Sequence, residues 1–202
     1  MRTNKRISLN DLLLNGPVVQ KDLLETLIAF RLGTFFFICD ILRMFRCMRL
    51  DPSQRSLQNI LWRESPDEDI KCKQLSTVTY GLKSSSYLAT RCLIEVANRY
   101  KEQFPLASSI LINNTYVDDV LDNNNNKQVL LKMQTELVDL LALGGFQLHK
   151  WASNCDSVLK NVQNNYNQES EVDSSKTETS VKSLGIEFVI NDDIFTSSCP
   201  EP

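Results

Sequence analysis

The stretch NTYVDDVL, residues 114–121, decides the fold of this 202-residue chain. It places two adjacent acids, Asp118 and Asp119, among apolar residues of the kinds that form strands. We expect the segment 108–121 to form two strands joined by a tight turn at these acids. Neighbouring carboxylates at such a turn repel each other and lose hydration. A divalent cation such as Mg²⁺ removes that penalty, because it prefers carboxylate oxygens.

A second stretch, TFFFICD at 34–40, supplies another carboxylate. Its apolar run is too short for a helix and stops at Asp40, so the sequence predicts a buried strand. If that strand lies beside the acidic turn, three carboxylates can hold two metal ions about 4 Å apart, an arrangement suited to nucleotidyl transfer. On the residues alone, an ordinary turn at Asp118 and Asp119 and a helix cap at Asp40 remain the alternative.

Helical and strand patterns alternate along the rest of the chain. The expected helices lie at 20–32, 84–103 and 127–143, with Pro105 ending the second. The expected strands lie at 57–63, 70–79, 146–152 and 181–190, the first two as a hairpin. The Asn-, Gln- and Ser-rich segment 156–180 is predicted to be a polar flexible linker. This order indicates an α+β fold, an antiparallel sheet with helices packed on one face.

Composition excludes several classes of function. Lys and Arg number 22 and Asp and Glu 25, so the net charge is −3 and the chain as a whole is no polycation. The six cysteines include no CxxC pair, and His149 is the single histidine, which argues against a zinc site. No apolar run reaches the roughly 18 residues of a membrane helix. We expect an intracellular protein with reduced cysteines.

The chain resembles the reverse transcriptase of BEL/Pao-type LTR retrotransposon polyproteins, in which six of its sequence blocks occur in the same order. The blocks are SLNDLLLNGP (8–17), CDILRMFRCMRLDPSQRSLQNILWR (39–63), TVTYGLKSSSYLATRCL (77–93), TYVDDVL (115–121), GGFQLHKWASN (144–154) and VKSLGIEF (181–188). The resemblance implies an RNA-directed DNA polymerase, with a ferredoxin-like polymerase palm and partial fingers.

The resemblance also implies the catalytic residues. Asp40 matches the first metal-binding aspartate of the palm, and Asp118 and Asp119 match the pair of the YVDD motif. These three residues are therefore expected to be the catalytic residues and the ligands of two Mg²⁺ ions, for which Mn²⁺ can substitute.

Further residues match positions that bind nucleotide and primer. Phe45 matches the aromatic that excludes ribonucleotides, Gly81 the glycine beneath the nucleotide, and Lys150 a proton donor to pyrophosphate. Plain core packing of Phe45 and a solvated strand end at Lys150 remain the alternatives. Leu184 and Gly185 match the primer grip. A local basic patch for phosphates is expected from Arg43, Arg46, Arg49, Arg55 and Arg63.

The implied organisation is a palm with partial fingers over 1–155, the linker over 156–180 and a primer-grip region over 181–202. Relatives carry fingers strands before this region and thumb and RNase H domains after it, with protease and integrase in the same polyprotein. The expected partners are a template–primer duplex of RNA or DNA, deoxynucleoside triphosphates and those missing domains, and not a membrane. The expected location is a cytoplasmic particle or the nucleus.

Two alternatives to an active polymerase stay open. The first is a truncated, catalytically inactive retroelement remnant that acts at most as a nucleic-acid or protein binding module. The second, which the six blocks disfavour, is an unrelated two-metal nucleotidyl transferase or cyclase on a similar core.

Overall fold

The computed structural model describes residues 7–166, 180–184, 186–190 and 194–196. Its helices are α1 (Leu9–Leu12), α2 (Leu23–Phe30), α3 (Met44–Cys47), α4 (Ser85–Arg99), α5 (Pro105–Asn113), α6 (Lys127–Leu143) and α7 (Asp156–Tyr166), with a 3-10 helix at Pro52–Gln58. Its strands are β1 (Phe35–Ile41), β2 (Asn59–Trp62), β3 (Lys71–Gln74), β4 (Thr115–Tyr116), β5 (Asp119–Asn124), β6 (Leu148–Ser153), β7 (Ser180–Ser183), β8 (Ile186–Val189) and β9 (Ile194–Thr196). None of the helices in these ranges has both the length and the apolar character needed to cross a membrane.

The chain divides into two compact units. The first unit comprises Met1–Val19 and Arg43–Cys92, and the second comprises Gln20–Leu42 and Leu93–Pro202. In the first unit, β2 and β3 pair as an antiparallel hairpin whose residues are all exposed. This hairpin confirms the one predicted at 57–63 and 70–79, with shorter strands.

A four-stranded antiparallel sheet with the order β4–β5–β1–β6 forms the centre of the second unit. Strand β1 confirms the buried strand predicted at 34–40, and it pairs with β5 on one side and β6 on the other. Along β1, Phe37 lies opposite Asp122 and Asp40 lies opposite Asp119, both in β5. The sheet therefore brings β1 and the acidic hairpin side by side.

Both faces of this sheet are covered, which corrects the expectation of helices on one face. On one face, the ring of Phe36 in β1 meets Phe30 of α2 and Phe188 of β8, with centroids 5.1 and 5.2 Å apart. On the other face, the Lys127 ammonium at the start of α6 lies 4.8 Å from the Phe35 ring centroid. Successive strand residues point to opposite faces, so the continuous apolar run of β1 makes both faces apolar.

The segment 108–121 departs from the predicted strand–turn–strand because α5 occupies its first part. Pro105 begins α5 instead of ending the previous helix, since a proline suits a first turn whose N–H groups have no helical partner. The carboxylate of Glu136 in α6 caps α5 by accepting a 2.9 Å hydrogen bond from the Leu106 N–H. That cap comes from a residue 30 positions away, so local sequence does not reveal it.

The segment 156–180 is also not a linker throughout, because it begins with helix α7. Its residues 167–179 lie outside the described ranges. Val158 and Val162, one helical turn apart, are buried. The amide of Gln134 in α6 donates a 2.8 Å hydrogen bond to the Val158 carbonyl. Two valines and polar bonds to a neighbouring helix thus hold a helix of polar composition.

The asparagine run 123–126 connects β5 to α6 through specific hydrogen bonds. Asn126 caps α6 by accepting from the Gln128 N–H at 2.9 Å. Asn125 accepts from the Thr34 N–H at 2.9 Å, just before β1 begins. The run therefore fixes both the start of α6 and the entry into β1.

Candidate active site

Three aspartates come together at the end of β1. Asp40 and Asp119 are direct partners across the β1–β5 ladder. The main-chain carbonyl of Asp118 accepts a 2.8 Å hydrogen bond from the Ile41 N–H. The structure therefore brings together all three residues that the sequence analysis selected as catalytic.

The turn that carries Asp118 is a two-residue connection between β4 and β5. Tyr116 and Asp119 pair across it, which leaves Val117 and Asp118 in the loop. Val117 has a φ of 56°, a left-handed backbone that a β-branched residue adopts only with strain. Its N–H donates a 3.3 Å hydrogen bond to the side-chain oxygen of Gln20. Strained backbone of this kind concentrates at functional sites.

The electrostatic environment of Asp118 disfavours its charged form. Partial burial raises the pKa of its carboxyl above the ordinary value, and the negative charge of Asp40 raises it further. A hydrogen bond from its own main-chain N–H and the nearby Lys150 and His149 side chains partly offset this increase. A cation placed between the carboxylates would remove the repulsion that remains.

Asp40 has two basic partners from β6. Its Oδ1 atom lies 2.9 Å from Nε2 of His149, and its Oδ2 atom lies 3.4 Å from the Lys150 ammonium. The side chain of Asp40 is 22% exposed, that of His149 24% and that of Lys150 70%. Lys150, the expected proton donor to pyrophosphate, thus lies beside Asp40.

His149 was absent from the predicted site residues. As the single histidine of the sequence it indicated only that a zinc site is absent, yet it makes the shorter of the two contacts to Asp40. LHKWA, residues 148–152, places two polar residues together in an otherwise apolar strand. The pair does not indicate a contact with Asp40, because that contact depends on the register of β6 against β1.

The donor chemistry fits a hard divalent cation such as Mg²⁺. Asp40 and Asp118 offer carboxylate oxygens, the ligands that Mg²⁺ prefers, and they are close enough for the charge of one to raise the pKa of the other. Within the described ranges, no three His, Cys, Asp or Glu side chains are already arranged around a metal position. Binding therefore requires the carboxylates to adjust, beginning with Asp40 and its two basic partners.

Phe45, Gly81 and Leu184 make contacts within their own units. Phe45 and Gly81 belong to the first unit, where the Phe45 ring packs edge-on against Tyr80 at 5.1 Å and Gly81 has a φ of 80°. Leu184 has a φ of 57° and packs against the aromatic core of the second unit. Gly185 lies outside the described residues.

Comparisons with known proteins bear on the fold. Neither a protein-family model nor a curated protein matches this chain. Among solved structures, the foamy viral protease–reverse transcriptase in complex with an RNA/DNA hybrid is similar, with a TM-score of 0.55 and 14% sequence identity. The match covers 84% of this chain but only 18% of that protein. The chain therefore has a reverse-transcriptase-like fold and spans less than a fifth of the protein it resembles.

Proposed function

We propose that this chain is the palm, with part of the fingers, of an RNA-directed DNA polymerase from a BEL/Pao-type retroelement. The observation that carries the proposal is the convergence of Asp40, Asp118 and Asp119 at one strand end of a reverse-transcriptase-like fold. The six ordered sequence blocks support the finer BEL/Pao assignment. The expected substrates are a template–primer duplex and deoxynucleoside triphosphates.

The three aspartates would hold two Mg²⁺ ions. When bound, such ions lower the pKa of the primer 3′-hydroxyl and neutralise charge on the triphosphate and pyrophosphate. Asp40 at the end of β1 and Asp118 in the turn between β4 and β5 would hold the ions, and the Lys150 ammonium lies 3.4 Å from Asp40. That ammonium is a suitable donor of a proton to the leaving pyrophosphate.

Phe45 is proposed to select deoxynucleotides. Its ring is half-buried and packs edge-on against Tyr80 of the same unit. An aromatic ring beside the sugar of a bound nucleotide would exclude a 2′-hydroxyl by its volume. In a chain that incorporates nucleotides, Phe45→Ala should raise the use of ribonucleotides relative to deoxynucleotides.

Primer extension tests the catalytic assignment. We expect little or no primer extension by this chain alone, and Mg²⁺-dependent incorporation of dTTP on poly(rA)/oligo(dT) once fingers and thumb regions like those of relatives are joined to it. In that extended protein, Asp118→Asn should lower incorporation by about 100-fold or more, because the substitution removes a charged oxygen ligand. The matched control is Asp139→Asn, the same chemical change at an exposed position of α6. Robust incorporation that is equal in the extended wild type and its Asp118→Asn variant would remove the polymerase assignment.

Iron-mediated cleavage locates the ions without requiring turnover. Fe²⁺ replaces Mg²⁺ at oxygen-ligand sites and, with ascorbate and peroxide, cuts the polypeptide near its own position. We expect cuts close to residues 40 and 118, absent in Asp118→Asn and present in Asp139→Asn. Cuts at these positions together with no incorporation by the extended protein would favour the inactive remnant over the polymerase.

A further inference from the structure

Two consecutive residues of β6 contact the same carboxylate. In a regular strand, neighbouring side chains point to opposite faces, so His149 and Lys150 would not both reach Asp40. The register explains how they do: Ile38 pairs with Ala152 and Asp40 pairs with His149, so two residues of β6 lie opposite one residue of β1. This is a β-bulge, a feature that redirects side chains and is common beside active sites.

The bulge is accommodated by the backbone of Lys150. Its φ of 52° lies in the left-handed region, which costs a residue with a side chain about 1 kcal/mol or more. No loop length or turn requires a bulge here, because β6 continues to Ser153 with regular pairing to β1. As a result of this strained backbone, His149 and Lys150 both contact Asp40.

The two basic contacts differ in character. His149 makes a 2.9 Å contact and is 24% exposed, whereas the Lys150 ammonium lies 3.4 Å away on a side chain that is 70% exposed. A carboxylate accepts and does not donate, so the His149 ring donates from Nε2, which a neutral imidazole can do. The histidine contact is therefore short and partly shielded, and the lysine contact is long and open to solvent.

We propose that His149 is a positioning residue that holds one oxygen of Asp40, and that Lys150 occupies the place of a divalent cation at the other oxygen and leaves when the cation binds. This inference rests on the metal site of the proposed function. Metal-ligating carboxylates keep an outer hydrogen-bond partner that fixes their orientation, which is the role His149 has. An ammonium beside the remaining oxygen neutralises Asp40 while the cation is absent.

The proposal predicts opposite effects for two neighbouring substitutions. His149→Ala should weaken the binding of Mn²⁺ by about tenfold, the usual loss when the outer partner of a ligand is removed. Lys150→Ala should strengthen it by roughly two- to fivefold, the range that an exposed ion pair supports. General electrostatics predicts the same direction for both, because each substitution removes a basic group from the neighbourhood of a cation.

The measurement is direct binding of Mn²⁺ to the full chain, followed by the electron paramagnetic resonance signal of the free ion. His149→Gln should retain most of the wild-type affinity, since its amide N–H can donate to Asp40. Lys127→Ala, a lysine of the same unit that contacts the Phe35 ring, should leave the affinity unchanged. The restored affinity of His149→Gln distinguishes positioning from a general loss of structure.

The outcomes separate this inference from the proposed function. If neither the wild type nor any variant binds Mn²⁺, the metal site itself is wrong. If the wild type binds Mn²⁺ and Asp118→Asn does not, but His149→Ala and Lys150→Ala shift the affinity in the same direction or not at all, the metal site stands. The assignment of His149 and Lys150 is then wrong.

Discussion

The two strands that flank β1 bring opposite charges to the end of that strand. On the β5 side, a two-residue turn presents Asp118, whose pKa is raised by burial and by Asp40. On the β6 side, a bulge presents His149 and Lys150 to the same Asp40. Both sides depart from regular strand geometry at a residue with a left-handed backbone, Val117 on one side and Lys150 on the other.

The turn on the β5 side and the bulge on the β6 side differ in which parts of the sequence determine them. The acidic turn is local, because its four residues are consecutive and its two strands pair with each other. The bulge exists only in the register between β6 and β1, strands that are more than a hundred positions apart in the chain, as in the Asp40–His149 contact. A local motif therefore identifies the acidic side, whereas the basic side requires the assembled sheet.

Removing the shared strand's central ring should disrupt both sides at once and give the largest effect. Phe37 is fully buried, lies opposite Asp122 and packs against Trp151 of β6 at 5.5 Å. Phe37→Ala should lower the free energy of unfolding by about 3–5 kcal/mol, measured by urea denaturation. Leu61→Ala, at an exposed position of β2, should change it by less than about 0.5 kcal/mol. A small loss at Phe37 would show that β1 does not hold the two sides together.

The second-largest effect on stability is expected at Asp122, a buried acid of β5. Asp122 is 4% exposed and accepts hydrogen bonds from Asn114 Nδ2 at 2.9 Å and from the Asn123 N–H at 2.7 Å. Burial is the main cause that raises its pKa to about 6. An unfolded aspartate ionises near pH 4, so between about pH 4 and pH 6 the folded chain binds more protons than the unfolded chain. This group therefore lowers stability as the pH rises through that window, by up to about 3 kcal/mol.

Asp122→Asn should remove that dependence. The amide oxygen can still accept both hydrogen bonds and does not ionise, so the variant should match the wild type near pH 4 and exceed its stability near pH 7. Urea unfolding at both pH values measures the difference, with Asp139→Asn as the exposed control. A variant that loses stability equally at both pH values would mean that the carboxyl group supports the fold independently of its charge, and that ionisation of Asp122 does not cost stability.

Several elements of the fold could be predicted from sequence because their determinants are local. The apolar run at 34–40 gave β1, and the patterns at 20–32 and 127–143 gave α2 and α6. The same run also contained the evidence for two covered faces, since five consecutive apolar residues leave neither face polar.

Other elements could not be predicted because distant residues stabilise them. Helix α5 depends on the cap from Glu136, and α7 depends on bonds to Gln134. In the site, sequence resemblance selected the three aspartates that the structure brings together. It did not select His149, because that residue's contact depends on a bulge register.

The left-handed residues on the two sides allow a matched comparison of backbone strain. At Val117 and at Lys150, the Gly variant should be more stable than the Ala variant by about 1 kcal/mol, because only Ala retains the cost of a positive φ. At Leu61, in the regular strand β2, the order should reverse, since glycine weakens a strand. Thermal denaturation of the six variants measures all three differences. If the Ala and Gly variants are equally stable at Lys150 but not at Val117, the backbone of the bulge is not strained. Only the acidic turn then carries the cost of a positive φ.

The smallest effect is expected at Asp118 in the absence of metal. Asp118→Asn removes a carboxylate that burial and the charge of Asp40 disfavour, so the variant should be more stable than the wild type. Because the group is half exposed, the gain is at most about 1 kcal/mol, or roughly 2–4 °C in Tm. Asp139→Asn, which makes the same change away from the sheet end, should leave Tm unchanged.

Addition of Mg²⁺ should then reduce the difference in stability between Asp118→Asn and the wild type. A ligand that binds only the folded chain stabilises it by about 0.4 kcal/mol when its concentration equals Kd, and by more as the concentration rises. The wild type should gain stability in this way, whereas Asp118→Asn, with one ligand fewer, should not. Thermal melts across a Mg²⁺ series therefore give converging Tm values if Asp118 is a metal ligand that costs stability in the metal-free chain. A variant that melts below the wild type at every Mg²⁺ concentration, with a constant difference, would instead identify Asp118 as a structural residue of the turn.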